Sequence, residues 1–180
     1  VERMTSFWHP FADMHGVEDH GTVTLVRGEG AFVFDEAGRR CLDATASLWY
    51  CTVGWGRGAI ADAVGTQMRA VPAYSTFGDL TNEPAEALAE RVASLAPVPG
   101  SKVFLTSGGS DSIDTATKMA RRYWQLRGEP DRSVLIRREK AYHGMHTAGT
   151  SLAGIPANAT GHGELIEDVT EVPWNDADAL

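Results

Sequence analysis

The sequence predicts an α/β fold that opens with a β-meander and continues into strands alternating with helices. Glycine-containing turns separate three short β-prone runs near the N-terminus, a pattern typical of antiparallel strands. These runs are residues 22–27, 31–35 and 40–43. Farther along, apolar runs at 102–106 and 133–137 enclose a helical pattern at 111–127. A strand, a helix and a strand in this order predict a βαβ unit with parallel strands.

Two amphipathic helices are predicted between the meander and the βαβ unit. In the first, apolar residues recur at helical spacing until Pro72 ends the helix. These residues are Ile60, Val64, Met68 and Val71. The second helix begins at Asn82, a good N-cap residue, and ends before Pro97. Its apolar residues are Leu88, Val92 and Leu95.

Composition and charge exclude several classes of function. The 180 residues are 43% hydrophobic, and 16 basic against 24 acidic residues give a net charge of −8. A phosphate-backbone binder would show a basic surface, so we expect neither nucleic acid nor an anionic membrane as a partner. The uncharged run 141–163 contains five glycines and a proline and is therefore no membrane helix. Without a recognisable signal peptide, we expect a soluble, cytoplasmic protein.

The strongest local motif is Thr106-Ser-Gly-Gly-Ser-Asp111, between a predicted strand and a predicted helix. Gly108 and Gly109 allow a sharp turn, and Ser110 is predicted to be the N-cap residue. The amides of such a helix start bind phosphate and other anions. The alternative is an ordinary capped helix behind a glycine turn, which the local pattern alone favours. The position at the end of a strand in an α/β sheet favours a ligand.

A second motif, Lys140-Ala-Tyr-His-Gly-Met-His146, follows the second strand of the βαβ unit and is expected at the same sheet edge. Tyr142 could cover one face of a planar ligand, or it could be a core aromatic residue. His143 could be an ordinary polar residue at a helix start. A metal site is the less favoured alternative, because His143, His146 and His162 lack an acidic partner at a known zinc spacing.

The aromatic stretch from Ser47 to Gly56 contains Trp49, Tyr50 and Trp55. It could fill a core, which this stretch alone slightly favours, or form the wall of an apolar pocket. Together with the phosphate loop and Tyr142, it suggests a planar phosphorylated cofactor beside a mostly apolar substrate pocket.

These motifs resemble the class III aminotransferases, pyridoxal-phosphate (PLP) enzymes of fold type I, in order and approximate spacing. The resemblance extends from Trp8-His-Pro-Phe11 to about Pro173 and includes Ala116–Trp124 (ATKMARRYW). It implies that residues 1–50 belong to a small domain. Residues 51–180 then form the first part of a large PLP-binding domain with a mostly parallel sheet flanked by helices.

The resemblance also implies roles for individual residues. The family's Ser-Gly-Ser-Glu-Ala loop matches 108–112, so Gly109 and Ser110 would bind the PLP phosphate. Tyr142 would stack on the pyridine ring with His143 beside it. Trp49 and Phe11 would line the substrate pocket, and Phe77 would lie at a homodimer interface. The loop departs from the family at Gly108, Asp111 and Ser112, none of which removes a phosphate donor.

The resemblance implies a transaminase that moves an amino group from an amine or ω-amino acid to a keto acid such as pyruvate by a ping-pong mechanism. The lysine that such an enzyme needs matches none of the three present, Lys102, Lys118 and Lys140. The sequence also ends inside an apparent first helical turn, so we expect the N-terminal portion of the enzyme without a catalytic residue of its own. An aminomutase, a decarboxylase and a non-catalytic phosphate-ligand-binding chain are the alternatives.

Overall fold

A computed structural model of the chain describes residues 5–180. The chain divides into two compact units between Phe77 and Gly78, and each unit has a sheet of its own. The predicted division into a small domain (1–50) and a large domain (51–180) stays a prediction.

The first unit contains the predicted meander. Its elements are α1 (Met14–His20), β1 (Leu25–Glu29), β2 (Phe32–Asp35), β3 (Arg40–Leu42), α2 (Ala46–Trp49) and α3 (Gly58–Ala70). The strands form an antiparallel sheet in the order β1-β2-β3, which confirms the predicted antiparallel strands. Helix α3 matches the first predicted amphipathic helix and ends two residues before Pro72.

The central strand β2 supplies the buried residues of this sheet. Val33 and Asp35 alternate with the half-buried Phe32 and Phe34 along the strand, as the two-residue period of a strand requires. The buried carboxylate of Asp35 accepts hydrogen bonds from the backbone N–H (2.8 Å) and Nε (2.6 Å) of Arg39. These bonds hold the pKa of Asp35 below its ordinary value, because they favour the charged form.

The second unit has a two-stranded parallel sheet flanked by helices. Its elements are α4 (Glu83–Leu95), α5 (Gly109–Leu126), β4 (Leu135–Arg138), α6 (Thr147–Leu152), α7 (Pro156–Ala159) and β5 (Val169–Val172). Strands β4 and β5 pair in parallel from Leu135↔Val169 to Arg138↔Val172. The antiparallel meander followed by a parallel sheet with helices confirms the predicted α/β class.

The predicted strand at 102–106 is wrong: the described part of the chain forms no strand there. A strand needs a neighbour for its N–H and C=O groups, but the described partner of β4 is β5. Phe104 is exposed, as an apolar side chain outside a packed sheet would be. The observed βαβ arrangement therefore runs from β4 through α6 and α7 to β5.

Arg137 fastens α6 to this sheet. Its Nη1 donates to the carbonyl oxygens of Ser151 (2.7 Å) and Ala153 (2.6 Å). Its Nη2 lies 3.1 Å from the carboxylate of Glu171, its cross-strand partner on β5. The end of α6, where Ser151 and Ala153 are buried, is thereby held against the strand pair.

Helices α3 and α4 leave their apolar stripes exposed. The side chains of Ile60, Val64 and Met68 on α3, and of Leu88, Val92 and Leu95 on α4, are all among the exposed large hydrophobic residues. None of the described helices combines the length and hydrophobicity needed to cross a membrane.

Asn82 caps α4 as predicted, and its replacement tests the contribution of that cap. The Asn82 side-chain oxygen accepts a hydrogen bond from the Ala85 N–H at 3.0 Å. We expect Asn82→Ala to lower the free energy of unfolding by about 0.5–2 kcal/mol, because the amide loses its partner. Urea denaturation of the purified protein measures this, and Asn82→Ser, which keeps an acceptor, is the control. Equal losses in both variants would contradict the capping role.

Candidate functional site

Helix α5 begins with an open N-terminus. Gly108 is the N-cap residue, in an extended conformation, and no side chain caps the helix. The prediction of Ser110 as N-cap is wrong, because Gly108 already supplies the first helical acceptor: its carbonyl binds the Ser112 N–H at 3.1 Å. An uncapped helix start leaves its first amides to a ligand or to water.

Two hydroxyl groups fix the loop before this helix. Thr106 Oγ1 and Ser112 Oγ lie 2.5 Å apart, so one hydroxyl donates to the other. Each oxygen is also 3.0 Å from the Gly108 carbonyl oxygen, to which the second hydroxyl donates. The loop therefore keeps its shape without side-chain bonds to the first helical amides. Sequence reasoning missed these roles, although hydroxyl residues on both sides of a glycine pair are a usable signal.

The start of α5 lies directly against the Tyr142–Met145 segment. Ser110 Oγ accepts a hydrogen bond from the Met145 N–H at 3.1 Å. Gly144 has a φ of +107°, and a Cβ atom added there would lie 2.7 Å from Ser110 Oγ and 2.9 Å from Ser110 Cα. Only glycine allows both this φ and this approach. The structure thus joins the segments of Gly109–Ser110 and Tyr142–His143.

Tyr142 is 48% exposed, which does not fit a core aromatic residue within this chain. His143 is half-buried, and its carbonyl oxygen would lie 2.6 Å from a Cβ added at Gly149 on α6. The segment is therefore held between α5 on one side and α6 on the other, while the tyrosine ring keeps an accessible surface.

Two carboxylates of α5 contact the residues that follow the Tyr142 segment. Asp111 Oδ1 lies 3.5 Å from His146 Nδ1, an ion pair whenever the imidazole is protonated. Asp114 Oδ1 accepts a hydrogen bond from the Gly149 N–H at 3.1 Å and so fastens α6 to α5. Within residues 5–180, no group of three or more His, Cys, Asp or Glu side chains could hold a metal ion.

In the first unit, Trp49 ends a left-handed turn. The φ angles of the α2 residues Ala46, Ser47, Leu48 and Trp49 are 48°, 50°, 62° and 79°. Left-handed backbone costs a non-glycine residue roughly 1–2 kcal/mol, so this turn needs compensating bonds. Phe11 also has a positive φ, of 53°. Such conformations concentrate at functional sites, and both residues predicted to line a substrate pocket adopt them.

Asp43 supplies the compensating bonds. Its carboxylate accepts the Ser47 N–H at 2.9 and 3.0 Å and the indole Nε1–H of Trp55 at 2.9 Å. The Ser47 amide, followed by the Trp55 indole, lowers the pKa of Asp43 from its ordinary 3.8. A lowered folded-state pKa means that this stabilisation is present above pH 3.8 and is lost as the pH falls through the lowered value. Sequence reasoning missed Asp43, since an aspartate near a turn is too common a signal.

The predicted pocket and interface residues of this unit present their side chains outward. The exposed fractions are 73% for Trp49, 78% for Phe11 and 88% for Phe77, the last in a bend at the end of the unit. Trp49 therefore does not fill a core within this chain, which was the alternative role for the aromatic stretch.

Comparison with known proteins gives one consistent family. The family model for class III aminotransferases matches residues 14–180. The chain is 38% identical over 148 residues to putrescine–pyruvate aminotransferase of Pseudomonas aeruginosa, covering 82% of this chain and 32% of that protein. It is 36% identical over 170 residues to beta-alanine–pyruvate aminotransferase of the same organism, covering 94% of this chain and 37% of that protein.

Comparison with solved structures gives the same family. An (S)-enantioselective omega-transaminase from Thermomicrobium roseum superposes with a TM-score of 0.87 at 39% identity, over 92% of this chain and 36% of that chain. An omega transaminase from Pseudomonas jessenii, in complex with PMP, superposes with a TM-score of 0.89 at 32% identity, over 93% of this chain and 37% of that chain. The chain thus spans 32–37% of the length of these proteins.

Replacing Gly144 tests the close approach to Ser110. We expect Gly144→Ala to lower the free energy of unfolding by about 1–3 kcal/mol through overpacking, in addition to backbone strain. Gly163→Ala is the matched control, because Gly163 also has a positive φ (+76°) but has open space where a Cβ would be. Urea denaturation compares the two variants. If both lose the same stability, the contact with Ser110 does not constrain the segment.

Proposed function

The chain belongs to the class III aminotransferases, and from this premise we propose that it supplies the phosphate-binding and ring-binding residues of a PLP-dependent transaminase. Class III aminotransferases are PLP-dependent enzymes. The observation that supports the proposal best is the hydrogen bond from the Met145 N–H to Ser110 Oγ. It connects an uncapped helix start, suited to a phosphate, with a segment that contains an accessible tyrosine ring.

The residues at the start of α5 suit the phosphate of PLP. The helix has no side-chain cap, and a Cβ added at Gly109 would meet nothing within 4 Å, so a ligand has access to the backbone there. The N–H groups and the partial positive charge of a helix start favour a phosphate dianion. We propose that Gly109 and Ser110 donate their backbone amides to it.

When bound, PLP supplies an electron-withdrawing ring that stabilises negative charge on a substrate carbon. In our proposal Tyr142 packs on this ring and His143 lies beside it. Stacking orients the ring and keeps water from one face. The packing of His143 and Gly144 between α5 and α6 supports this role, because a ring held by a fixed backbone segment keeps one orientation.

We further propose that Trp49 and Phe11 line the substrate pocket. Their exposed aromatic side chains and left-handed backbone support that role, since strained conformations mark functional positions. Phe77, almost fully exposed, is proposed to lie at a homodimer interface.

The proposed reaction is transfer of an amino group from an amine or ω-amino acid to a keto acid such as pyruvate, in two half-reactions. The names of the related putrescine–pyruvate and beta-alanine–pyruvate aminotransferases support this substrate class. The lysine that exchanges protons with the substrate is proposed to lie outside residues 1–180. Lys140, the lysine nearest in sequence to Tyr142, extends 79% exposed toward Glu139, which does not suit a buried catalytic amine.

The activity is tested by incubating PLP, pyruvate and putrescine or β-alanine with purified protein that contains both this chain and the proposed lysine. We expect alanine to form together with loss of the amine. Release of carbon dioxide from an amino-acid substrate without alanine formation would indicate a decarboxylase instead. A rearranged amino acid formed without pyruvate would indicate an aminomutase.

Tyr142→Ala tests the proposed stacking. We expect it to weaken PLP binding by about 1–3 kcal/mol, through lost stacking and burial. Fluorescence titration of the purified protein with PLP measures the Kd. Tyr142→Phe keeps the ring and should bind PLP nearly as well as the parent. A loss in the phenylalanine variant equal to that in the alanine variant would show that the hydroxyl group, not the ring, matters.

Ser110→Glu tests the phosphate position. A carboxylate at the second residue of α5 would repel the phosphate and crowd Gly144, so we expect the variant to be purified without PLP and not to bind it on titration. Ser94→Glu, on the exposed surface of α4, adds the same charge elsewhere. Retention of PLP at unchanged affinity by Ser110→Glu would overturn the assignment of this loop.

A further inference from the structure

Four residues in succession at the start of the Ala46–Gly56 loop have left-handed backbone, and none of them is glycine. Trp49 is the last of the four. Because its side chain is 73% exposed, packing within this chain does little to orient it. The backbone of the turn therefore sets the direction in which the Trp49 side chain leaves the main chain.

We propose that Asp43 is a positioning residue, which holds the left-handed turn and thereby sets the direction in which Trp49 faces the substrate. The inference rests on the proposed function, in which Trp49 lines the substrate pocket. The Asp43 carboxylate binds the Ser47 N–H through both of its oxygens, at 2.9 and 3.0 Å. Ser47 is the second residue of the turn, so the bond is made where the left-handed backbone begins.

Asp43 can hold the turn because the meander holds Asp43. Its own N–H donates to the Ala31 carbonyl at 2.9 Å. Its second partner, Trp55, exchanges backbone hydrogen bonds with Gly30 at 2.8 and 3.1 Å. The Trp55 side chain lies so close to β1 that a Cβ added at Gly28 would be 2.5 Å from Trp55 Cγ. Hydrogen bonds thus connect the sheet to Asp43 and Asp43 to the turn.

The charge on Asp43 adds to this anchoring. A carboxylate that accepts two N–H groups forms charge-assisted bonds, which are shorter and stronger than neutral ones. The pKa of Asp43 is lowered, chiefly by the Ser47 amide, so the group is ionised at neutral pH. Asparagine at this position would keep the size of the side chain but lose the charge and one of the two acceptor oxygens.

The activity test compares Asp43→Asn with the parent protein on an amine that the parent converts. We expect kcat/KM for the amine to fall roughly 10- to 100-fold, the cost of a misplaced binding residue. The loss should appear mainly in KM, and the Kd for PLP should not change. In a Trp49→Ala background, Asp43→Asn should cause little further loss, because it acts through Trp49.

Two further variants separate positioning from general stability. Glycine at position 47 adopts left-handed backbone without strain. We therefore expect the double variant Asp43→Asn/Ser47→Gly to regain much of the activity and melting temperature lost in Asp43→Asn. Asp35→Asn removes another hydrogen-bonded carboxylate of the same sheet. It should lower the melting temperature while leaving KM for the amine near the parent value.

The inference is overturned if Asp43→Asn lowers kcat/KM as much in the Trp49→Ala background as alone, or if Asp35→Asn raises KM equally. Near-ultraviolet circular dichroism provides a test that needs no activity. The signal of Trp49 is the part of the spectrum that Trp49→Phe removes. This signal should change in Asp43→Asn and return to the parent form in the double variant Asp43→Asn/Ser47→Gly. If protein that contains the proposed lysine converts no amine but this spectral pattern holds, the proposed function is wrong and the positioning role stands. If the spectrum does not change, the positioning role is wrong.

Discussion

The candidate cofactor site depends on one close approach, that of the Gly144 backbone to Ser110. Because Gly144 has no Cβ, the Met145 N–H reaches Ser110 Oγ at 3.1 Å. This contact joins residues 35 apart in sequence, so it fixes the position of the Tyr142 segment relative to the amides of α5. Asp114 and Arg137 then hold α6 behind the segment. The approach at Gly144 therefore sets the distance between the start of α5 and the Tyr142 segment, which are the proposed phosphate and ring positions.

The departures of this loop from the family motif have local partners that explain how they are accommodated. Ser112 donates to the Gly108 carbonyl and contacts the Thr106 hydroxyl, so it stabilises the loop from within the first helical turn. Asp111 faces His146 across the site. A carboxylate in the first turn of a helix is favoured by the helix dipole, and it forms an ion pair with the His146 imidazole whenever the imidazole is protonated. Neither side chain caps the helix start.

Much of this fold could be predicted from the sequence because its signals are local. Glycine turns between β-prone runs indicated the meander, and Asn82 indicated the start of α4. The strand expected at 102–106 was wrong because an apolar run becomes a strand only beside a partner, which the sequence pattern does not reveal. Ser110 was misassigned as the N-cap residue, since serine is a better cap than glycine by local preference. No local signal predicts left-handed backbone at Ala46, Leu48 and Trp49, because alanine, leucine and tryptophan disfavour it.

The two units fix their candidate functional residues by opposite means. Around Ser110 the backbone segments touch because a side chain is missing at Gly144, so nearly any substitution there meets the same obstacle. Around Trp49 the backbone is strained and is held by a charged side chain, so the outcome depends on which residue replaces Asp43 or Ser47. A site that depends on a glycine contact loses stability with almost any substitution at that glycine. In a strained turn, by contrast, a strained residue and the residue that stabilises it can be replaced together. If Trp49 lines the substrate pocket and the start of α5 binds the cofactor, the part of the protein that selects the amine can therefore vary while the cofactor-binding part stays the same.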